Sequence, residues 1–268
     1  MISYTQYAKQ ILLGGTLEDK LLDVPVVWTS WESFEIPKAP GRVGIMAFSE
    51  RQQKFPKNLF GIQQRAQALH SFANHELLAI EMMATALLIY PHQDEESVRF
   101  KKGILSALKD EQKHLSMYIK RINELGYSFG DFPLNDFFWR QMEKLKTPSQ
   151  YMAMMALTFE AANLDFAQYY KNIFKDVGDH ETEKIMEIVL EDEITHVAFG
   201  VHWMKRWKGD ESLWKYYRDS LPFPLTPARS KGIGFDATLH AKAMNDDNFI
   251  CELKLYDDDF KITKRSKT

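Results

Sequence analysis

Cysteine is almost absent: Cys251 is the only one in 268 residues. No intrachain disulfide can form, which suits a reducing compartment. A surplus of charge of either sign is lacking too. The 34 Lys and Arg against 37 Asp and Glu leave a net charge of −3 and a pI near 6.3. No global field therefore draws the chain to nucleic acid or to an anionic membrane, although a local basic patch remains compatible with this balance. No apolar run reaches the ~18 residues that a membrane span requires. Residues 1–10 carry no charged segment followed by an apolar core, so no signal peptide is expected. The expectation is a cytoplasmic protein with no membrane partner; nothing in the charge balance asks for nucleic acid, although an RNA substrate stays open. Its 45% hydrophobic and 26% charged residues are ordinary for a globular chain, and its length does not limit the core.

What is present is a repeated word. Asp110-Glu111-Gln112-Lys113-His114 and Asp192-Glu193-Ile194-Thr195-His196 both read D-E-x-x-H. With 37 acids and 8 histidines in 268 residues, chance supplies about 0.04 such words, so two are a signal. Glu and His three apart lie on one face of a helix. An acid, four residues and a second acid precede each word: Glu76 to Glu81, then Glu160 to Asp165. The words are 82 residues apart and the upstream acids 84, as expected of two similar helix pairs.

The elements are legible from punctuation and periodicity. Residues 1–24 read as two short helices split by Gly14-Gly15, with Thr16 as N-cap of the second. Residues 25–57, with Pro25, Pro37, Pro40 and Pro56, read as an irregular wrap anchored by Trp28, Trp31, Phe34 and Phe48. Four long helices follow. The first runs from Leu59 to Tyr90, and the second from an Asp94 N-cap to Gly126. The third runs from the Thr147-Pro148-Ser149-Gln150 capping box to Gly178, and the fourth from Asp179 to Gly209. The crossover 126–147 separates the second helix from the third. The third helix reads as one continuous stripe through Ala153, Ala156, Leu157, Glu160, Asn163, Leu164 and Ala167. Short helices near 212–220, 236–244 and 247–255 and a basic, disordered tail from Lys261 end the chain.

On each long helix an acid or a Glu/His pair stands where a bland core would carry leucine. Buried carboxylates that close together cannot all ionise without compensation. Four carboxylates and two neutral imidazoles total −4, which two divalent cations balance. The expected ligands are Glu76, Glu111, His114, Glu160, Glu193 and His196. Glu81 and Asp165 stay open as alternative or additional ligands, because the repeat preserves both acids of each pair. Asp110 and Asp192 are placed to accept the second N–H of an imidazole, each from the other word's histidine. Oxygen-rich ligation with one imidazole per metal suits iron first and manganese second, better than a closed zinc site. Ala79, Ala156, Ala167 and Gly200 are small enough to leave room for a pocket, or for close helix approach.

These residues match the E…E-x-x-H…E…E-x-x-H pattern of ferritin-like di-iron carboxylate proteins. Longer stretches resemble one bacterial ferritin-like family without an assigned function. They include His75-Glu76-Leu77 through Glu81, Phe129-Gly130-Asp131, Phe137-Phe138-Trp139, Leu157-Thr158-Phe159-Glu160, Asp192 through Gly200, and Leu221 through Arg229. The resemblance implies an all-α protein: a ferritin-like four-helix bundle with one long crossover between its second and third helices, plus wrapping segments at both ends. It also implies a single domain over 1–268, divided into an N-terminal wrap 1–57, the bundle 58–209 and a C-terminal extension 210–268. The related branches are oxidases and oxygenases. The leading expectation is thus an O2-activating oxidoreductase acting on an unidentified small molecule. A metal-stabilised scaffold without turnover and an iron storage or detoxification protein are the alternatives.

Overall fold

The computed structural model describes residues 1–51 and 54–258. The expected disordered tail lies outside the described residues. The chain is mostly helical and divides into two compact units, Met1–Glu143 and Lys144–Thr268.

The first unit opens with β1 (Ile2–Ser3) and α1 (Tyr4–Leu13). Ser3 and Gln6 form a capping box that satisfies exposed amides of the first turn. After Gly14-Gly15, α2 (Leu17–Lys20) starts on the Thr16 cap, as its sequence predicts. Strand β2 (Val26–Val27) returns to pair in parallel with β1, Ile2 opposite Val26. This small ribbon was not legible in the sequence, because two-residue strands carry no periodicity. The wrap that follows is held by an aromatic stack and by a hydrogen bond from an indole. Trp28, Trp31, Phe34 and Phe48 are only half-buried. Trp28 stacks on Tyr4, and Trp31 Nε1 donates to the Leu88 carbonyl at 2.8 Å.

Two long helices carry this unit. α3 (Ile62–Ile89) is apolar on nearly every side. It is the one helix among the described residues that is long and apolar enough to cross a membrane, and 83% of that apolar window is buried in the protein. α4 (Glu95–Glu124) is amphipathic, starts on the Asp94 cap with Glu95 and Glu96 in its first turn, and packs on α3. The short connection 90–94 turns the chain back. Gly126 follows the helix at φ 84°, a conformation that a side chain would strain. Helix ends are capped from a distance. Lys101 Nζ donates to the Leu87 carbonyl at 2.7 Å, and Lys20 Nζ to the Ile11 and Leu12 carbonyls at 2.8 and 3.3 Å.

The second unit begins with α5 (Pro148–Met154), on the expected Thr147 box with Pro at the first helical position. The expected continuous stripe then breaks. Met155–Glu160 form a π-helical turn before α6 (Ala161–Asp176) resumes. One residue added to a turn shifts the phase by about 100°, so the residues before and after it do not share one 3.6-residue stripe. Residues 151–162 are buried almost without interruption, so no polar face marks the phase. α7 (His180–Trp207), capped by Asp179, packs on α6 and on the π-turn. A Cβ at Gly200 would lie 2.2 Å from Ala156 Cβ. At these two positions small size serves close helix approach, not a pocket. α8 (Leu213–Ser220), a 3-10 turn (Pro227–Ser230), α9 (Ala237–Met244) and α10 (Asp247–Leu255) complete the unit.

His70, which showed no sequence signal, is wholly buried on α3 and lies between Phe129 and Phe132. Its Nε2 accepts the Gly130 N–H at 2.8 Å, which requires the neutral ring. Burial pushes its pKa down to about 4. Its folded pKa is below the ordinary value, so its contribution is complete above about pH 6.5 and is lost as pH falls toward about 4. In urea titrations, the stability advantage of wild type over His70→Phe should shrink from pH 7 to pH 4.5, by up to about 1.4 kcal/mol per pH unit. A constant difference across that window would contradict this.

Candidate metal centre

Each unit builds the same donor set: two carboxylates and an imidazole. In the first unit Glu76 comes from α3, and Glu111 and His114 from α4. The three-residue spacing puts His114 Nδ1 3.4 Å from Glu111 Oε2. None of the three is more than 5% exposed. Each offers a ligand atom within 4.8 Å of those of the other two.

In the second unit Glu160 closes the π-turn, and Glu193 and His196 come from α7. His196 Nδ1 stands 3.7 Å from Glu193 Oε2. Glu160 and His196 offer ligand atoms within 4.8 Å of each other. Asn163 Nδ2 donates to Glu193 Oε1 at 2.7 Å and so orients that carboxylate. All six residues singled out in the sequence are buried. These buried acid and histidine groups could hold a metal ion, and the donor chemistry fits one: hard oxygens plus one nitrogen, held on apolar helices.

The two acids left open by the repeat are engaged elsewhere. Glu81, five residues beyond Glu76, is neutralised by cations from the N-terminal segment. Lys20 Nζ lies 3.0 Å from Oε1, and Arg42 reaches both oxygens through Nε and Nη2, the closest at 2.7 Å. Arg42 also lies over the Phe48 ring. The side chains of Lys20 and Glu81 are wholly buried and that of Arg42 almost so. Asp165, five residues beyond Glu160, is claimed by the C-terminal segment. It accepts from the Gly232 and Asp236 amides at 2.8 and 2.9 Å and faces His240 Nε2 at 3.2 Å. Neither acid belongs to the buried groups whose ligand atoms lie within 4.8 Å of one another. Asp110 and Asp192 are half-buried on α4 and α7. Lys20, Arg42 and His240 escaped sequence reasoning, because each matters through a partner distant in the chain and none sits in a local pattern. Asn163 enters the sequence reading only as part of its helix stripe, which does not foresee its hydrogen bond to Glu193.

Glu81 bridges two buried cations, Lys20 and Arg42, so Glu81→Gln should cost about 3–5 kcal/mol of stability. Equilibrium urea denaturation measures this. A loss under about 1 kcal/mol would mean that the triad does not tie the wrap to α3.

Residues 5–250 match the family described as "Protein of unknown function (DUF455)". A Haemophilus influenzae protein, itself described as uncharacterized, is 28% identical over 180 residues, which cover 63% of this chain and 62% of that one. The chain thus spans less than two thirds of that relative's length. No solved structure matches the chain. With a match that runs through both units and all six candidate ligands, the chain belongs to the DUF455 family.

Proposed function

We propose that this protein is a ferritin-like di-metal carboxylate oxidoreductase that uses O2 on a small organic substrate. Glu76, Glu111, His114, Glu160, Glu193 and His196 would hold two divalent ions, iron first and manganese second. One observation carries the reading: an acid–acid–imidazole set, buried to within 8% exposure, stands in each unit at repeat-related positions. Such a pair of ions supplies two electrons for O2 reduction and neutralises the four carboxylates.

The chain's own residues do the rest. The apolar faces of α3, α4, α6 and α7 exclude water from the carboxylates. Asn163 orients Glu193. Asp110 and Asp192 would each accept the second N–H of a ligand imidazole and fix its tautomer. Glu81 and Asp165 stay outside the ligand set, occupied by their own partners. Iron storage and a metal-stabilised scaffold are the competing readings, and the O2 experiment below separates them from turnover.

Protein expressed with iron and manganese should carry two equivalents of metal per chain by elemental analysis. Glu111→Ala should lose metal, and Asp192→Asn should bind it about 10–100-fold more weakly. Glu81→Gln should keep wild-type stoichiometry per folded chain. Metal removal should lower the thermal midpoint of wild type more than that of Glu111→Ala. Less than about half an equivalent in wild type would end the metal reading.

Stopped-flow absorbance, mixing anaerobic Fe(II)-loaded protein with O2, tests the reaction class. Wild type should oxidise in a fast phase that is lost in Glu160→Ala. Equal, slow rates in both would leave storage or scaffold.

A further inference from the structure

The π-turn Met155–Glu160 ends on a candidate ligand, and three buried hydroxyls line up behind it. Thr158 Oγ1 donates to the Ala153 carbonyl, five residues back, at 2.7 Å. A hydroxyl has one proton to give. With that of Thr158 committed, Tyr217 donates to Thr158 Oγ1 across 2.8 Å, and Ser230 donates to the Tyr217 oxygen across 2.5 Å. The chain therefore runs one way, from Ser230 through Tyr217 and Thr158 to the Ala153 carbonyl. All three residues are 0% exposed. Burial pushes the Tyr217 phenol up to about 12, so it remains a donor.

Both outer members come from beyond the helix. Tyr217 stands on α8 and Ser230 ends the 3-10 turn Pro227–Ser230. The opposite clamp is steric: Gly200 of α7 packs so closely on Ala156 that a Cβ there would clash. A π-turn is rarely stable by itself and relaxes to α geometry unless its surroundings hold it. Such relaxation would change the phase of Glu160 by about 100° relative to α5.

We propose that the Ser230–Tyr217–Thr158 hydroxyl chain is a positioning device: it holds the wide turn that presents Glu160 to a metal ion, so the C-terminal segment sets the metal affinity of the second unit. This inference rests on the metal reading above. Its members are positioning residues, since they act on the ion only through Glu160.

The test uses the full chain with Co(II) as the probe. Wild type, Thr158→Val, Tyr217→Phe, Thr158→Ser and Glu160→Gln are titrated while the visible ligand-field spectrum is followed. Thr158→Val and Tyr217→Phe should weaken Co(II) binding about 10-fold and alter the spectrum, and Thr158→Ser should restore both. Hydrogen exchange on wild type alone provides a measurement that no folding failure can spoil. Co(II) should raise protection in the peptide containing 155–160 and in peptides containing Tyr217 and Ser230. Folded Thr158→Val and Tyr217→Phe with wild-type affinity and spectrum would overturn the proposal, as would protection confined to the π-turn. If Glu160→Gln loses Co(II) while Thr158→Val keeps it, the hydroxyl lock falls and the metal reading stands. If wild type takes up no Co(II), both fall.

Discussion

A carboxylate removed from water costs several kcal/mol unless something positive or protic faces it. The long helices of this protein bury Glu76, Glu81, Glu111, Glu160, Asp165 and Glu193 among apolar side chains. How each of these charges is answered organises the structure. Glu81 meets two cations, and Asp165 meets two backbone amides and an imidazole. Glu111 and Glu193 each face the histidine three residues on, and with Glu76 and Glu160 they fall in the buried groups that could hold a metal ion.

The terminal segments follow from the same constraint. Lys20 and Arg42 belong to the stretch that precedes α3, and Gly232, Asp236 and His240 to the stretch that follows α7. Each segment is drawn onto its unit by one buried acid at the same place in the repeat. The chemistry of the two solutions differs. In the first unit a salt bridge fixes long side chains; in the second the carboxylate also shapes the backbone that enters α9. Both acids anchor a wrap and stand outside the buried groups that could hold an ion.

Local irregularity is concentrated at one candidate ligand. α3, α4 and α7 present their acids from regular helix, where i and i+3 spacing suffices. Glu160 comes from a π-turn, whose wide register admits the Thr158 hydroxyl to a carbonyl five residues back. Holding that register takes contributions from α7, α8 and the 3-10 turn after it. In this way hydroxyl residues outside the candidate donor set come to bear on where Glu160 points.

The sequence alone determined the helical class and most helix ends, and it singled out six acids and histidines that are buried. Caps at Thr16, Asp94, Thr147 and Asp179 are local hydrogen bonds between residues three apart, and the paired Glu/His spacing is a property of one helix. The choice between Glu76 and Glu81, or Glu160 and Asp165, lay beyond it. Both acids of each pair sit on a helix at permissible positions, and what separates them is a partner 39 to 75 residues away. The π-turn and the burial of His70 lay beyond it for the same reason. A shifted helical phase or a neutral buried histidine is stabilised only by side chains that tertiary packing brings in. Periodicity can report which face is buried, but not which atom on that face will find its counter-charge.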